Sequence, residues 1–251
     1  MWGIIPAAGK GTRIQPLAFS KELLPFCDRD EDNVQRPRAV SDFLMERLVI
    51  AGAKRICFVI SPEKSDILEY YSRRTWGASI CYTVQPEPAG LCDAIFRALP
   101  MIAPNEPVMI GLPDTIWFPQ DGLSRLCDDR FSFLLFPVAH PEFFDSVELD
   151  ASGRIGRIHV KSPEAPSNLV WGAFKMPGAV LRELFSLWMK RGRSDEYIGT
   201  LVNAWIAGGG DAWGVAAGET YYDVGTMEGY LEAMRKLAEA VPAVKVGTAS
   251  R

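Results

Sequence analysis

The chain has little of what marks a stapled, metallated or membrane-bound protein. Its five cysteines, Cys27, Cys57, Cys81, Cys92 and Cys127, are scattered, odd in number and without a C-x-x-C pair. They predict small core residues in a reducing compartment, and they exclude a disulfide or zinc framework. The two histidines, His140 before a proline and His159 within an apolar run, form no metal or triad constellation. There is no H-E-x-x-H, no G-x-S-x-G and no Cys/His pairing. No apolar run approaches the roughly 20 residues that span a bilayer. The opening Met-Trp-Gly-Ile-Ile-Pro lacks the basic and long apolar regions of a signal peptide, so the expected location is the cytoplasm, with no membrane partner. Basic residues are not in excess: 27 Lys and Arg face 31 Asp and Glu, a net charge of -4. No nucleic-acid partner is implied, and an anionic substrate would have to be met by local cations.

What is present is an ordinary globular composition, 48% hydrophobic and 23% charged over 251 residues. It suits one large α/β domain, expected over residues 1–240, with a polar, flexible tail at 241–251. Strand-like apolar runs at residues 2–7, 55–60, 80–84 and 107–112 alternate with helical spacing at 39–51, 65–71 and 89–99. The alternation predicts a mixed, mainly parallel sheet flanked by helices. Further strands are expected at 132–138, 169–176 and 212–216, and a hairpin at 146–149 and 154–160 around Asp150-Ala-Ser-Gly153. Helices are expected at 179–191, 197–207 and 227–239. Ligands in such sheets sit beyond the carboxyl ends of the strands. The motifs below each follow an apolar strand, so the chemistry should gather along one sheet edge.

The first motif is Ala7-Ala8-Gly9-Lys10-Gly11-Thr12-Arg13. Glycines let a backbone approach phosphate oxygens, and successive N–H groups form an anion nest. Arg13 adds a forked donor. A ligand-free tight turn would use the same residues. The Walker A pattern is not satisfied, and the dinucleotide fingerprint fails at its third glycine, where Ile14 stands. Asp114, in Gly111-Leu112-Pro113-Asp114-Thr115, ends an apolar strand, and Asp223 precedes the last helix in Tyr222-Asp223-Val224-Gly225-Thr226. Each alone could be a cap or turn residue; together they would make a magnesium site completed by phosphates and water. Gln85, in Gln85-Pro86-Glu87-Pro88-Ala89-Gly90-Leu91, carries a donor and an acceptor suited to a base edge. Lys21 and Lys161 are point charges of a kind suited to phosphates, but most lysines are only solvated, and neither stands out by itself. Trp171 is weighted toward core over a sugar-stacking role, and Glu196 toward a helix-start charge.

The run continues as Gln15-Pro16-Leu17 and Ser20-Lys21-Glu22-Leu23-Leu24-Pro25. The whole of residues 5–25 resembles the signature of the sugar-1-phosphate nucleotidyltransferases: G-x-G-T-R, then P-L, then P-K-x-L-L-P. Four later segments match in order: Gln85–Leu91, Gly111–Thr115, Lys161 and Tyr222–Thr226, so the similarity covers about residues 3–235. It implies the mixed α/β fold of nucleotide-diphospho-sugar transferases. It also implies transfer of a nucleotide, dTTP favoured and UTP next, to a sugar 1-phosphate with release of pyrophosphate, and Mg2+ as cofactor. Dimers or tetramers are common in the family. By this resemblance Arg13, Lys21 and Asp114 are catalytic. Ala8, Gly9, Gly11, Thr12, Gln85 and Gly90 hold the nucleotide, Lys161 and Gly172 the sugar phosphate, and Asp114 and Asp223 the metal.

Departures are visible. Ser20 replaces a proline, Thr115 an asparagine, and Val160 a glutamate that contacts the sugar in the family; Phe143-Phe144-Asp145 stands where a tyrosine–glycine pair is usual. These leave the sugar open. Three other readings remain: a nucleotide-binding regulator without catalysis, an oxidoreductase on a dinucleotide fold, and a cytidylyl- or guanylyltransferase acting on another phosphate.

Overall fold

The computed structural model describes residues 1–29, 35–72 and 76–240; the expected tail at 241–251 lies outside them. The first half builds the parallel part of the sheet. Strand β1 (Trp2–Pro6) is followed by the small antiparallel pair β2 (Pro25–Arg29) and β3 (Gln35–Ala39). Helix α1 (Val40–Ile50), β4 (Arg55–Ile60), α2 (Ser65–Ser72), β5 (Ser79–Val84), α3 (Gly90–Arg97), β6 (Pro107–Gly111) and β7 (Thr115–Phe118) come next. The second half holds β8 (Phe131–Pro137), the hairpin β9 (Asp145–Leu149) and β10 (Ile155–Val160), and β11 (Leu169–Pro177). It closes with α4 (Gly178–Lys190), α5 (Ile198–Ala207), β12 (Ala212–Val215), β13 (Thr220–Asp223) and α6 (Met227–Ala240).

Among the described residues the main sheet has nine strands. Strands β5, β4, β1 and β6 are parallel neighbours; β11 runs antiparallel to β6 and to β8, and β12 joins β8 in parallel. The hairpin β9–β10 extends the sheet beside the start of β11. The expected mixed, mainly parallel sheet flanked by helices is therefore the fold observed.

Strand alternation divides the core. Ile4, Cys57, Val59, Val108 and Ile110 face a cluster that includes Ile95, Leu181, Trp188 and Leu201 from α3, α4 and α5. Ile5, Ile56, Phe58 and Met109 face Leu44, Leu48, Ile67 and Tyr71 from α1 and α2. Both faces of these strands are buried, which is why they read as continuous apolar runs. Helix α1 ends where Gly52 takes φ 91°, with Gly52 N–H on Val49 O and Ala53 N–H on Leu48 O, both 2.9 Å.

Four short strands escape the sequence pattern. β2 and β3 form one two-stranded sheet and β7 and β13 another. They carry four or five residues each, and β3 contains Pro37. Such segments are too short for a clear alternation. A third core cluster, including Leu24, Phe26, Phe43, Ile116, Val224 and Ala233, packs beneath them.

Candidate active site

A cavity of about 370 Å³ opens at the carboxyl ends of the central strands. The glycine-rich loop leaves β1 at Pro6, and Ala7 N–H is tied to Val59 O on β4 at 2.8 Å. Asp114 sits in the short turn between β6 and β7, immediately before Thr115. Strand β13 pairs with β7 so that Asp223 lies opposite Thr115, and Val224 N–H donates to Asp114 O at 2.9 Å. That two-stranded pairing is what brings the two carboxylates together.

The Lys21 ammonium donates to Asp114 Oδ2, and both side chains are largely buried. Burial by itself raises the Asp114 carboxyl, but the Lys21 charge and hydrogen bond outweigh it and hold the group below the usual carboxylate range. For Lys21 burial acts downward, and Asp114 and Glu22 reverse it, leaving the ammonium above its ordinary value. Gly11, with φ 64°, leaves room for this lysine: a Cβ there would lie 2.6 Å from Lys21 Cδ.

Arg13 Nη1 donates to Asp223 Oδ2 at 3.0 Å. Gly225 lies where the two ion pairs meet. A Cβ on it would sit 2.9 Å from both Asp114 Oδ2 and Asp223 Oδ1 and 3.1 Å from Arg13 Nη2. Among the described residues no group of three or more His, Cys, Asp or Glu is placed to hold a metal. Two converging carboxylates, each bonded to a cationic side chain, do fit magnesium, which takes one or two carboxylates together with substrate phosphates.

Two buried charges beneath the loop carried no recognisable signal in sequence. Lys64 Nζ donates to Ala7 O, Gly9 O and both Glu22 carboxylate oxygens, each at 2.7 Å. Burial pulls the Lys64 ammonium down and pushes the Glu22 carboxyl up, and each offsets part of the other's shift. Ser20 gives its N–H to Asp66 Oδ2 at 2.7 Å and its hydroxyl to Asp66 Oδ1 at 2.6 Å, fixing the Lys21 turn to the start of α2. A proline at position 20 has neither donor.

Aromatic rings line much of the cavity. Lys161, at φ 45°, places Nζ 4.8 Å from the Tyr197 ring centroid. Phe143, Phe144, Asp145, Trp171, Glu196, Tyr197 and Tyr221 also line the cavity. Trp171 is both core and wall: it is 6% exposed, and its Nε1 donates to Asp145 Oδ2 at 3.3 Å. Burial raises the Tyr221 phenol well above its ordinary value.

Of the residues singled out in sequence, Gly9, Arg13, Lys21, Gly90, Asp114, Lys161 and Asp223 line the cavity; Ala8, Gly11, Thr12, Gln85 and Gly172 do not. Gln85 is buried and spends its amide donors on Gly90 O at 3.1 Å and Asp93 Oδ2 at 2.9 Å. Gly90, at φ 81°, is bare because Glu196 crosses it: a Cβ would lie 2.7 Å from Glu196 Cα. Glu196 O in turn accepts Leu91 N–H at 2.8 Å. Gly172 makes room for the Phe136 and Tyr221 rings, each 2.6 Å from where its Cβ would be. Its effect on the cavity passes through Tyr221.

The nucleotidyl transferase family model matches residues 2–240. A glucose-1-phosphate thymidylyltransferase of Mycolicibacterium smegmatis is 29% identical over 245 residues, 93% of this chain and 81% of that protein. A UTP–glucose-1-phosphate uridylyltransferase of Haloferax volcanii is 29% identical over 180 residues, 69% of this chain and 70% of the other. In structure, UTP-bound UGPase from Acinetobacter baumannii superimposes with a TM-score of 0.76 at 20% identity, covering 98% of this chain and 95% of that one; at that identity the likeness concerns the fold.

Proposed function

The chain belongs to the nucleotidyl transferase family, and we propose that it couples a nucleoside triphosphate to a sugar 1-phosphate, giving an NDP-sugar and pyrophosphate. The observation that carries this reading is that Arg13, Lys21, Asp114, Asp223 and Lys161 all line one cavity, with Lys21 bonded to Asp114 and Arg13 to Asp223. Three cations and two metal-type carboxylates suit two phosphorylated substrates lying end to end.

A phosphate oxygen of the sugar 1-phosphate would attack the α-phosphorus in line, and the bond to the pyrophosphate oxygen would break. No protein nucleophile is required, because such transfers depend on positioning and charge stabilisation. Gly9 and the loop around it would cradle the triphosphate. Lys21 and Arg13, leaving their carboxylate partners, would stabilise the charge that builds on the departing pyrophosphate. Lys161 would hold the sugar phosphate. Gly90, its carbonyl fixed by Gln85, would approach the base. Asp114 and Asp223 would hold magnesium, which when bound neutralises phosphate charge. Both thymidylyl- and uridylyltransferases stand among the relatives, which supports a pyrimidine triphosphate, with dTTP proposed first and UTP next. Five free cysteines, two of them exposed, suit the reducing cytoplasm, and no helix among the described residues is long and apolar enough to cross a membrane.

The direction of attack is open to an isotope test. Sugar 1-phosphate labelled with oxygen-18 in its phosphate should deliver the label to the NDP-sugar and none to pyrophosphate, read by mass spectrometry. Label in the pyrophosphate would overturn the reading.

A further inference from the structure

Five acidic side chains line the cavity: Glu22, Asp114, Asp145, Glu196 and Asp223. Four are accounted for. Glu22 is paired with Lys64, Asp114 with Lys21 and Asp223 with Arg13; Glu196 is exposed at the rim. Asp145 differs. It is half-buried, no cation among the described residues is within ion-pair distance, and its carboxylate receives one hydrogen bond, from Trp171 Nε1 to Oδ2. Oδ1 receives none from the described residues.

Burial raises the Asp145 carboxyl above its ordinary value, and Trp171 and Lys161 offset only part of that. A carboxylate drawn out of water needs further donors. Its surroundings say what kind. Phe144, Trp171, Tyr197 and Tyr221 line the same cavity, and the Trp171 ring is hydrogen-bonded to the carboxylate. This is the setting of a ligand with an apolar face and hydroxyls on its edge. Lys161 N–H is bonded to Phe144 O at 3.0 Å, so Asp145 stands beside the lysine assigned to the sugar phosphate.

Resting on the nucleotidyltransferase reading, we propose that Asp145 determines sugar specificity by accepting a hydrogen bond from a ring hydroxyl of the sugar 1-phosphate. Its position in the sheet explains how the chain manages without a carboxylate at Val160, where the resembled signature carries one. Asp145 and Val160 are directly opposed across the β9–β10 ladder, and both reach the spot where a Cβ on Gly199 would stand, Val160 Cγ2 at 2.8 Å and Asp145 Oδ2 at 3.3 Å. The Asp145 carboxylate thus lies one strand over from Val160. Because a carboxylate only accepts, it favours a sugar with a free hydroxyl at the position it meets over one that is deoxygenated or acylated there.

The test compares wild type, Asp145→Asn and Asp145→Ala on the hexose 1-phosphate that wild type uses and on its monodeoxy analogues, with KM measured separately for sugar and nucleotide. Asp145→Asn keeps an oxygen for Trp171 and guards against a folding artefact. Expected is a roughly 10- to 100-fold fall in kcat/KM for the parent sugar in Asp145→Ala, with nucleotide KM within about twofold of wild type. The variant should also lose wild type's discrimination against one deoxy analogue. A uniform fall with discrimination intact, or loss of discrimination in Glu196→Gln instead, would overturn the assignment. If no nucleotide turns over, tryptophan fluorescence makes the same comparison on sugar-phosphate binding alone. Discrimination that depends on Asp145 there supports this inference while sinking the reaction; its absence sinks the inference.

Discussion

The Lys21 ammonium donates to Asp114 Oδ2, joining the turn after the glycine-rich loop to the carboxyl end of the central strand β6. Each group is the other's main compensation for burial. Lys21→Ala therefore strands a carboxylate, and Asp114→Ala strands an ammonium. Each should lose about 1–3 kcal/mol in urea unfolding. Turnover should fall further, roughly 100- to 1,000-fold, because both groups also meet the phosphates. An apolar double variant, Lys21→Met with Asp114→Leu, should recover stability but not turnover. Near-wild-type turnover in either single variant would remove these residues from the chemistry.

The same pair sets a pH dependence. The Asp114 carboxyl is lower folded than unfolded, so its contribution is present above about pH 4 and lost as pH falls further. The Lys21 ammonium is higher folded than unfolded, so its contribution is present below about pH 10 and lost as pH rises through its folded value. Glu22 acts with the opposite sign to Asp114: its raised carboxyl costs stability once ionised. The stability gap between wild type and Asp114→Asn should narrow as pH is lowered from about 6 to about 3, measured by urea unfolding at each pH. A gap independent of pH would contradict the pairing.

Gly225 is where Asp114, Asp223 and Arg13 meet. An alanine there must push them apart. Gly225→Ala should raise the magnesium concentration needed for half-maximal activity and lower kcat roughly 10- to 100-fold. Stability should change by only about 1 kcal/mol, since the Arg13 side chain can yield. Unchanged kcat and magnesium demand would show that the carboxylates do not act together.

Lys64 holds the glycine-rich loop from below. Lys64→Met should cost about 3–5 kcal/mol by leaving Glu22 buried and unpaired. It should also raise the nucleoside triphosphate KM as Ala7 and Gly9 lose their anchor. Lys64→Met with Glu22→Leu should regain much of the stability while keeping the KM defect. Recovery of both would mean that the lysine matters only for folding.

How much of this was legible in the sequence depended on whether the determinant was local. The strands at 55–60 and 107–112 show as apolar runs because both sheet faces are covered, and the glycine-rich loop and Asp114 follow such runs directly. The juxtaposition of Asp114 with Asp223 rests on the β7–β13 ladder, two four-residue strands far apart in the chain, and no local pattern carries that. Lys64 reads as one more surface lysine, because its burial is set by the β1 loop and Glu22 folding over it. Gln85 shows the reverse: its amide looks free in sequence, yet Gly90 and Asp93 consume its donors. Trp171 was weighed as core against site, and its position in β11 makes it both.

The most direct measurement is pyrophosphate release from dTTP, UTP, CTP and GTP, each against a panel of hexose 1-phosphates, with magnesium and with EDTA. The account predicts magnesium-dependent release that needs both substrates, strongest with dTTP or UTP, and abolished by EDTA. Pyrophosphate release without a sugar phosphate, or none with any pair while the nucleotide still binds, would contradict it.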